Sequence, residues 1–190
     1  MFNRILNRLE ARITHISGLD YTPGIFSFEG ALVVLSYIYL MAIRLRARAF
    51  DLGIFQQKKL SCRVICIGNI VAGGAGKTPM TIYLARLLKD SGEKVVVISR
   101  GYRGKSREAA SIVGDGQKVF MDADQAGDEP YMMASLKRFP VVIGKDRYQA
   151  GKLAVQRFDP DVILLDDAFQ HRRLKRDLDL LLMDYDNPLG

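Results

Sequence analysis

A lysine followed by a threonine, Lys77-Thr78, and two adjacent acids, Asp166-Asp167, share one chemistry, the handling of nucleotide phosphates. A lysine ammonium is a mobile cation for β- and γ-phosphates, and a threonine hydroxyl beside it can hold Mg²⁺. A facing carboxylate, Asp166, can hold the same ion directly or through water. The second acid, Asp167, can orient or deprotonate a nucleophile. The spacing agrees: Val71-Ala72-Gly73-Gly74-Ala75-Gly76-Lys77-Thr78 fits the phosphate-loop pattern G-x-x-x-x-G-K-[ST] except at its first position, where Val71 replaces glycine. Gly73 and Gly74 can keep such a turn tight. No G-x-G-x-x-G frame fits these glycines, which argues against a dinucleotide-binding turn.

Two further segments carry chemistry. Gly127-Asp128-Glu129-Pro130 opens a helical stretch, so Asp128 reads either as an N-cap, with Pro130 in the first turn, or as a reactive acid. The overlapping Asp124-Gln-Ala-Gly127 matches the D-x-x-G of GTPases, but the chain has no N-K-x-D segment to read guanine. Phe169-Gln170-His171-Arg172-Arg173 follows the paired acids. His171 there suits acid–base chemistry, phosphate binding beside the arginines, or a structural role. His15 belongs to a surface.

These residues need a scaffold that brings them to one edge. Arg63 to Ile67 reads as a buried strand entering the loop, and Pro79 to Leu88 has the apolar spacing of a helix leaving it. A glycine-rich turn between the two aims backbone N–H groups at one spot, at the positive end of the helix dipole. Further strands are expected over 94–99, 141–143, 162–165 and 178–183, and helices over 128–138 and 147–158. Residues 110–113 and 118–121, flanking Gly-Asp-Gly, suit a short hairpin. Near-continuous apolar strands between helices predict an α/β fold resembling the phosphate-loop NTPases: a mostly parallel sheet with helices on both faces. In an open sheet of that kind the carboxyl ends of the strands face the ligand, which is where Asp166 and Asp167 fall.

The first 60 residues differ in character. Phe2, Ile5, Leu6, Leu9, Ile13 and Ile16 share one helical face flanked by Arg4, Arg8 and Arg12, the pattern of a helix lying in a bilayer interface. Gly30 to Ile43 is an uncharged apolar run of 14 residues that ends in arginines. It falls short of the ~20 needed to span a bilayer, so an interfacial or half-inserted anchor is expected. Residues 1–60 are thus read as membrane-anchoring helices and 61–190 as the nucleotide domain, ending inside a fold. Most of the net charge of +7 lies in the N-terminal third. The arginines there accompany a long apolar face, which favours an anionic membrane surface over nucleic acid. Apolar content of 48% and charged content of 26% exclude disorder. Cys62 and Cys66, expected on one strand, are too far apart for a disulfide.

Together these motifs resemble the lipid A 4′-kinase (tetraacyldisaccharide 4′-kinase) family. The resemblance rests on Val64-Ile-Cys-Ile-Gly68-Asn69 leading to Gly73-Gly-Ala-Gly-Lys-Thr-Pro79, on Ser99-Arg-Gly-Tyr102 and on Gly127-Asp-Glu-Pro130. It also rests on Leu165-Asp-Asp-Ala-Phe-Gln-His-Arg-Arg173 with Arg176-Asp-Leu-Asp179. That family carries a non-glycine residue at the loop's first position, as Val71 does here, and usually has glycine where this chain has Ala168. The resemblance implies transfer of the ATP γ-phosphate, with Mg²⁺, to the 4′-hydroxyl of a tetraacyldisaccharide 1-phosphate, at the cytoplasmic face of a bacterial inner membrane. It implies that Val71 to Thr78 bind the triphosphate, that Thr78 and Asp166 serve the metal, and that Asp128 is the base. Asp167 would pair with a histidine from the second half of longer family members, and Asn69, Arg100, Tyr102, Gln170 and His171 would serve the substrate. A membrane-associated nucleotide-switch GTPase and an inactive nucleotide- or lipid-binding protein are the alternative readings.

Overall fold

The computed structural model describes residues 28–70 and 76–185. The expected helix over 2–16 and loop positions Val71, Ala72, Gly73, Gly74 and Ala75 lie outside them. The chain divides into two units at Leu52 and Gly53. In the first, helix α1 spans Phe28–Asp51. It runs past the 14-residue apolar stretch, because Leu45, Ala47, Ala49 and Phe50 alternate with Arg44, Arg46 and Arg48 and keep the helical pattern going. The window Gly30–Phe50 is 21 residues, long and apolar enough by length and composition to cross a membrane. Leu35, Tyr37, Ile38, Tyr39 and Met41 are more than half exposed. The one serine of the helix, Ser36, donates its hydroxyl back to Val33 O at 2.7 Å and so satisfies itself locally.

The second unit is a six-stranded sheet in the order β3-β4-β2-β5-β1-β6. Its elements run β1 (Arg63–Asn69), α2 (Lys77–Asp90), β2 (Val95–Ser99), β3 (Ser111–Asp115), α3 (Ala123–Ala126), α4 (Asp128–Ser135), β4 (Pro140–Ile143), α5 (Arg147–Phe158), β5 (Val162–Asp166) and β6 (Leu178–Leu182). Five strands are parallel, and only β3 runs antiparallel, beside β4. Successive side chains on each central strand enter two different cores. Val96, Ile98, Ile163 and Leu165 join Val64, Cys66, Ala150 and Ala154 on one face, while Val95, Val97, Val162 and Leu164 join Ala85, Met133 and Phe139 on the other. Burial on both faces is why these strands read as unbroken apolar runs.

The expected short hairpin is present in minimal form, with Asp115 N–H donating to Lys118 O and Phe120 N–H to Val113 O, although 118–121 form no regular strand. Gly114 makes a single bridge to Val119, and the Asp115 carboxylate accepts the N–H groups of Gln117 and Lys118, closing a tight turn. Helix α4 ends at Ser135, short of Arg138. Cys62 precedes β1 instead of lying on it, and both cysteines are free. Burial pushes the Cys66 thiol up to about 11, which leaves it unreactive.

Candidate active site

The path from β1 through α2 to β2 passes to one side of β5, and the path from β5 to β6 passes to the other side of β1. The chain therefore reverses its winding direction at the β1/β5 pair, and the crevice opens at their carboxyl ends. Ile67 sits opposite Asp166 in that pair, so the end of the acid-bearing strand lies alongside the start of the phosphate loop.

Gly76 closes the loop with φ +76°, a left-handed conformation that favours glycine, although a Cβ there would meet nothing within 4 Å. The backbone angle, not space, calls for glycine. Helix α2 then starts without a side-chain cap and without an acid in its first turn. Its N–H groups are left for an anion, with the dipole in support. Lys77 is mostly buried, and its Nζ donates to Asn69 Oδ1 at 2.7 Å and lies 3.8 Å from Asp167 Oδ1.

The two acids have different surroundings. Asp166 is 3% exposed. Burial, and then the charge of Glu129, pushes its carboxyl up to about 6 against the opposing hydrogen bond from Thr81. The Thr81 hydroxyl lies 3.0 Å from Lys77 O and 3.2 Å from Asp166 Oδ1. Asp167 is open to solvent and has φ +54°, uncommon outside glycine though tolerated by aspartate. The positive φ therefore falls on Asp167, whereas the neighbouring Ala168 is buried and packs its methyl into the core.

A cavity of ≈ 400 Å³ is lined by most of the expected residues: Lys77, Thr78, Asp166, Asp167, Asn69, Arg100, Tyr102 and Gln170. Ser99, Glu129 and Phe169 complete the lining. Among the described residues, three expected ones are not in the lining: Gly76, Asp128 and His171. Asp128 opens α4, exposed, immediately before Glu129. The His171 ring is turned to the start of α5, with Nε2 2.8 Å from Lys145 O and 3.2 Å from Arg147 N. Burial, and then the charge of Arg147, holds its pKa below the usual histidine range. Asp124 of the D-x-x-G segment is also outside the lining and forms a 2.6 Å ion pair with Lys105.

Sequence reasoning missed Thr81, Glu129 and Arg147. Thr81 follows Lys77 by one helical turn, a spacing that could have revealed it. Glu129 stood inside a quoted motif, but which of two adjacent acids faces the crevice depends on where α4 begins. Arg147 gave no signal. It is 3% exposed, its Nη1 donates to Gly144 O at 2.6 Å, and its Nε is buried with no hydrogen-bond partner among the described residues. Burial, and then Arg100, lowers its pKa, while Asp166 and Asp167 oppose them.

The donor set fits a hard divalent cation. A desolvated carboxylate, two neighbouring acids and the Thr78 hydroxyl are hard oxygens in a site where negative charge is costly without a counter-ion. Among the described residues no three-ligand His, Cys, Asp or Glu cage exists. Mg²⁺ needs none, since it binds through one or two protein oxygens together with phosphates and water.

Residues 28–190 match the family model described as tetraacyldisaccharide-1-P 4′-kinase. The chain is 54% identical over 160 residues to a tetraacyldisaccharide 4′-kinase of Geobacter metallireducens, which covers 84% of this chain and 47% of that protein. A relative of the same description from Syntrophus aciditrophicus is 48% identical over 86% of this chain and 44% of its own length. A crystal structure of Aquifex aeolicus LpxK, described as an apo form in complex with ATP, superposes with a TM-score of 0.75 at 42% identity. It covers 84% of this chain and 50% of that one. The chain thus spans about half the length of the relatives it matches.

Proposed function

Because this chain belongs to the tetraacyldisaccharide 4′-kinase family, we propose that it is the nucleotide-binding part of an ATP-dependent lipid kinase. The acceptor is the 4′-hydroxyl of a tetraacyldisaccharide 1-phosphate. The observation that carries the reading is the uncapped N-terminus of α2, with Lys77 facing Asp166 and Asp167 across one cavity. That arrangement supplies N–H donors and a cation for a triphosphate, and acids where a metal-bound phosphate needs them.

In the reaction the acceptor oxygen forms a bond to the γ-phosphorus and the bond from that phosphorus to the β–γ bridging oxygen breaks, releasing ADP. Lys77 neutralises charge on the phosphates. Thr78 and Asp166 are the protein oxygens for Mg²⁺, which when bound offsets charge on the β- and γ-phosphates. Asp128 accepts the proton of the sugar hydroxyl, and its place next to Glu129 at the start of α4 puts it beside the cavity lining. Asp167 orients the phosphate end through Lys77. Arg100, Tyr102, Asn69 and Gln170 serve the disaccharide head group, and His171 contributes by seating its loop on α5.

Helix α1 and the basic N-terminal third support attachment to an anionic membrane, peripheral or monotopic, at the cytoplasmic face of the inner membrane where ATP is found. The test is transfer of label from γ-³²P-ATP to tetraacyldisaccharide 1-phosphate in detergent micelles by the complete protein. Label should appear on the disaccharide with ATP and Mg²⁺ present. Strong preference for GTP, or nucleotide hydrolysis with no labelled lipid, would reject the kinase reading.

A further inference from the structure

The segment Arg176-Asp177-Leu178-Asp179 belongs to the family resemblance, yet none of its residues is among those lining the cavity. Its contacts converge on the loop that carries the acids. Arg176 Nη1 donates to Ala168 O and to Phe169 O, both at 3.0 Å. Its Nε lies 3.0 Å from Asp179 Oδ1, and its guanidinium carbon is 5.9 Å from the centre of the Phe169 ring. The side chain is 16% exposed. A planar fork can bind two successive carbonyls while its Nε holds a carboxylate, and the point charge of a lysine cannot.

Neighbouring contacts lock the same loop to β1. The Phe169 ring lies so close to Gly68 that a Cβ there would come within 2.7 Å of it. The Asp167 N–H donates to Ile67 O at 3.0 Å. Asp177 donates its N–H to Val64 O and accepts the Val64 N–H on Oδ2, each at 2.8 Å. Asp179 stands opposite Cys66 in the β1/β6 register, so the carboxylate that orients Arg176 is itself fixed in the sheet.

We propose that Arg176 is a positioning residue for phosphoryl transfer: oriented by Asp179, its guanidinium fixes the carbonyls of Ala168 and Phe169 and thereby holds Asp166 and Asp167 facing Lys77. This rests on the kinase reading above. The positive φ of Asp167 is uncommon outside glycine, and contacts on the residues that follow help to hold it. Arg176 supplies two hydrogen bonds to the residues that follow.

The experiment compares Arg176→Met, Arg176→Lys, Asp179→Asn and Arg176→Ala in the complete protein. A displacement near 1 Å at a reacting group costs on the order of 100-fold. Arg176→Met should therefore lower kcat by roughly 10- to 100-fold, with KM for ATP within about threefold of wild type. Arg176→Lys should resemble it, because charge without the fork does not suffice, and Asp179→Asn should show a smaller loss in the same direction. Added methylguanidine should restore kcat to Arg176→Ala without changing its melting temperature. Amide exchange should quicken at Asp167 and His171 in Arg176→Met while the β5 amides keep their protection. Retention of more than half the wild-type kcat, unchanged exchange at Asp167 and His171, or a loss explained wholly by unfolded protein and not rescued by methylguanidine would each overturn the assignment. A wild-type protein that labels no disaccharide overturns the kinase reading alone, because the exchange measurement needs no acceptor and still decides what Arg176 does.

Discussion

The cavity has two acidic regions built in opposite ways. Asp166 ends a central strand, is nearly sealed from solvent, and is followed by a loop tied to β1 and β6 by backbone, aromatic and guanidinium contacts. Asp128 and Glu129 open a short helix and stand exposed. A buried acid is fixed before any ligand arrives, but carrying a charge there is costly until a cation meets it. An exposed acid carries its charge at little cost and can meet a hydroxyl delivered from outside. The contrast suits a reaction in which the nucleotide end must be rigid and the acceptor end open to a lipid head group.

Loss of catalysis is the strongest way to break that contrast. Asp128→Ala should lower kcat by about 10²- to 10⁴-fold, the range for losing a general base, with ATP affinity nearly unchanged. Lys77→Ala should lower kcat by about 10²- to 10³-fold and weaken ATP binding as well, since its charge acts on the phosphates in both states. Steady-state kinetics and nucleotide titration separate the two patterns. If Asp128→Ala keeps its rate while Glu129→Ala loses it, the base is the acid that lines the cavity, and the two neighbours exchange roles.

The second effect is on stability, in metal-free protein. The Asp166 carboxyl is pushed up to about 6 in the folded state, against an ordinary value near 4 when unfolded. Between those values the folded protein keeps a proton that the unfolded chain has released. Stability should therefore fall as pH rises from about 4 to about 6, by at most about 3 kcal/mol, and level off above. His171 acts in the opposite sense: its lowered pKa means that stability falls as pH drops below the usual histidine value. Asp166→Asn should remove the decline while leaving the histidine-linked part. Urea unfolding at a series of pH values measures both. An unchanged profile in Asp166→Asn would mean that the buried acid carries no such penalty.

The central strands were legible because burial on both faces writes continuous apolar runs, and the span of α5 matched its apolar spacing with Asp146 capping it. Lys77, Asp166 and Asp167 were legible because loop, strand end and helix start follow one another along the chain. What tertiary contact decides was not. Nothing in the local pattern around Arg147 marks it as buried, and although Arg176 stood in a quoted motif, that it turns back onto the carbonyls of Ala168 and Phe169 depends on the path of the loop between them. The full length of α1 was not legible from the uncharged run of 14 residues alone, because arginine stems can continue an apolar surface beyond it.

The smallest effect tests whether the two acidic regions communicate. Glu129 is the leading charge that raises Asp166, and the Thr81 hydrogen bond is the leading influence that lowers it. Glu129→Gln should therefore bring the Asp166 carboxyl down and narrow the pH window over which metal-free protein loses stability. The gain above pH 6 should stay under about 1 kcal/mol, because an exposed partner is screened by water. Thr81→Val removes a group that favours the ionised form, so it should widen the window and deepen the loss. The two variants must move the titration in opposite directions. Carbon-detected NMR of the Asp166 carboxyl reads this without reference to catalysis. Shifts in the same direction would mean that both substitutions act by altering the packing around β5, and that the exposed acids do not reach the buried one through their charge.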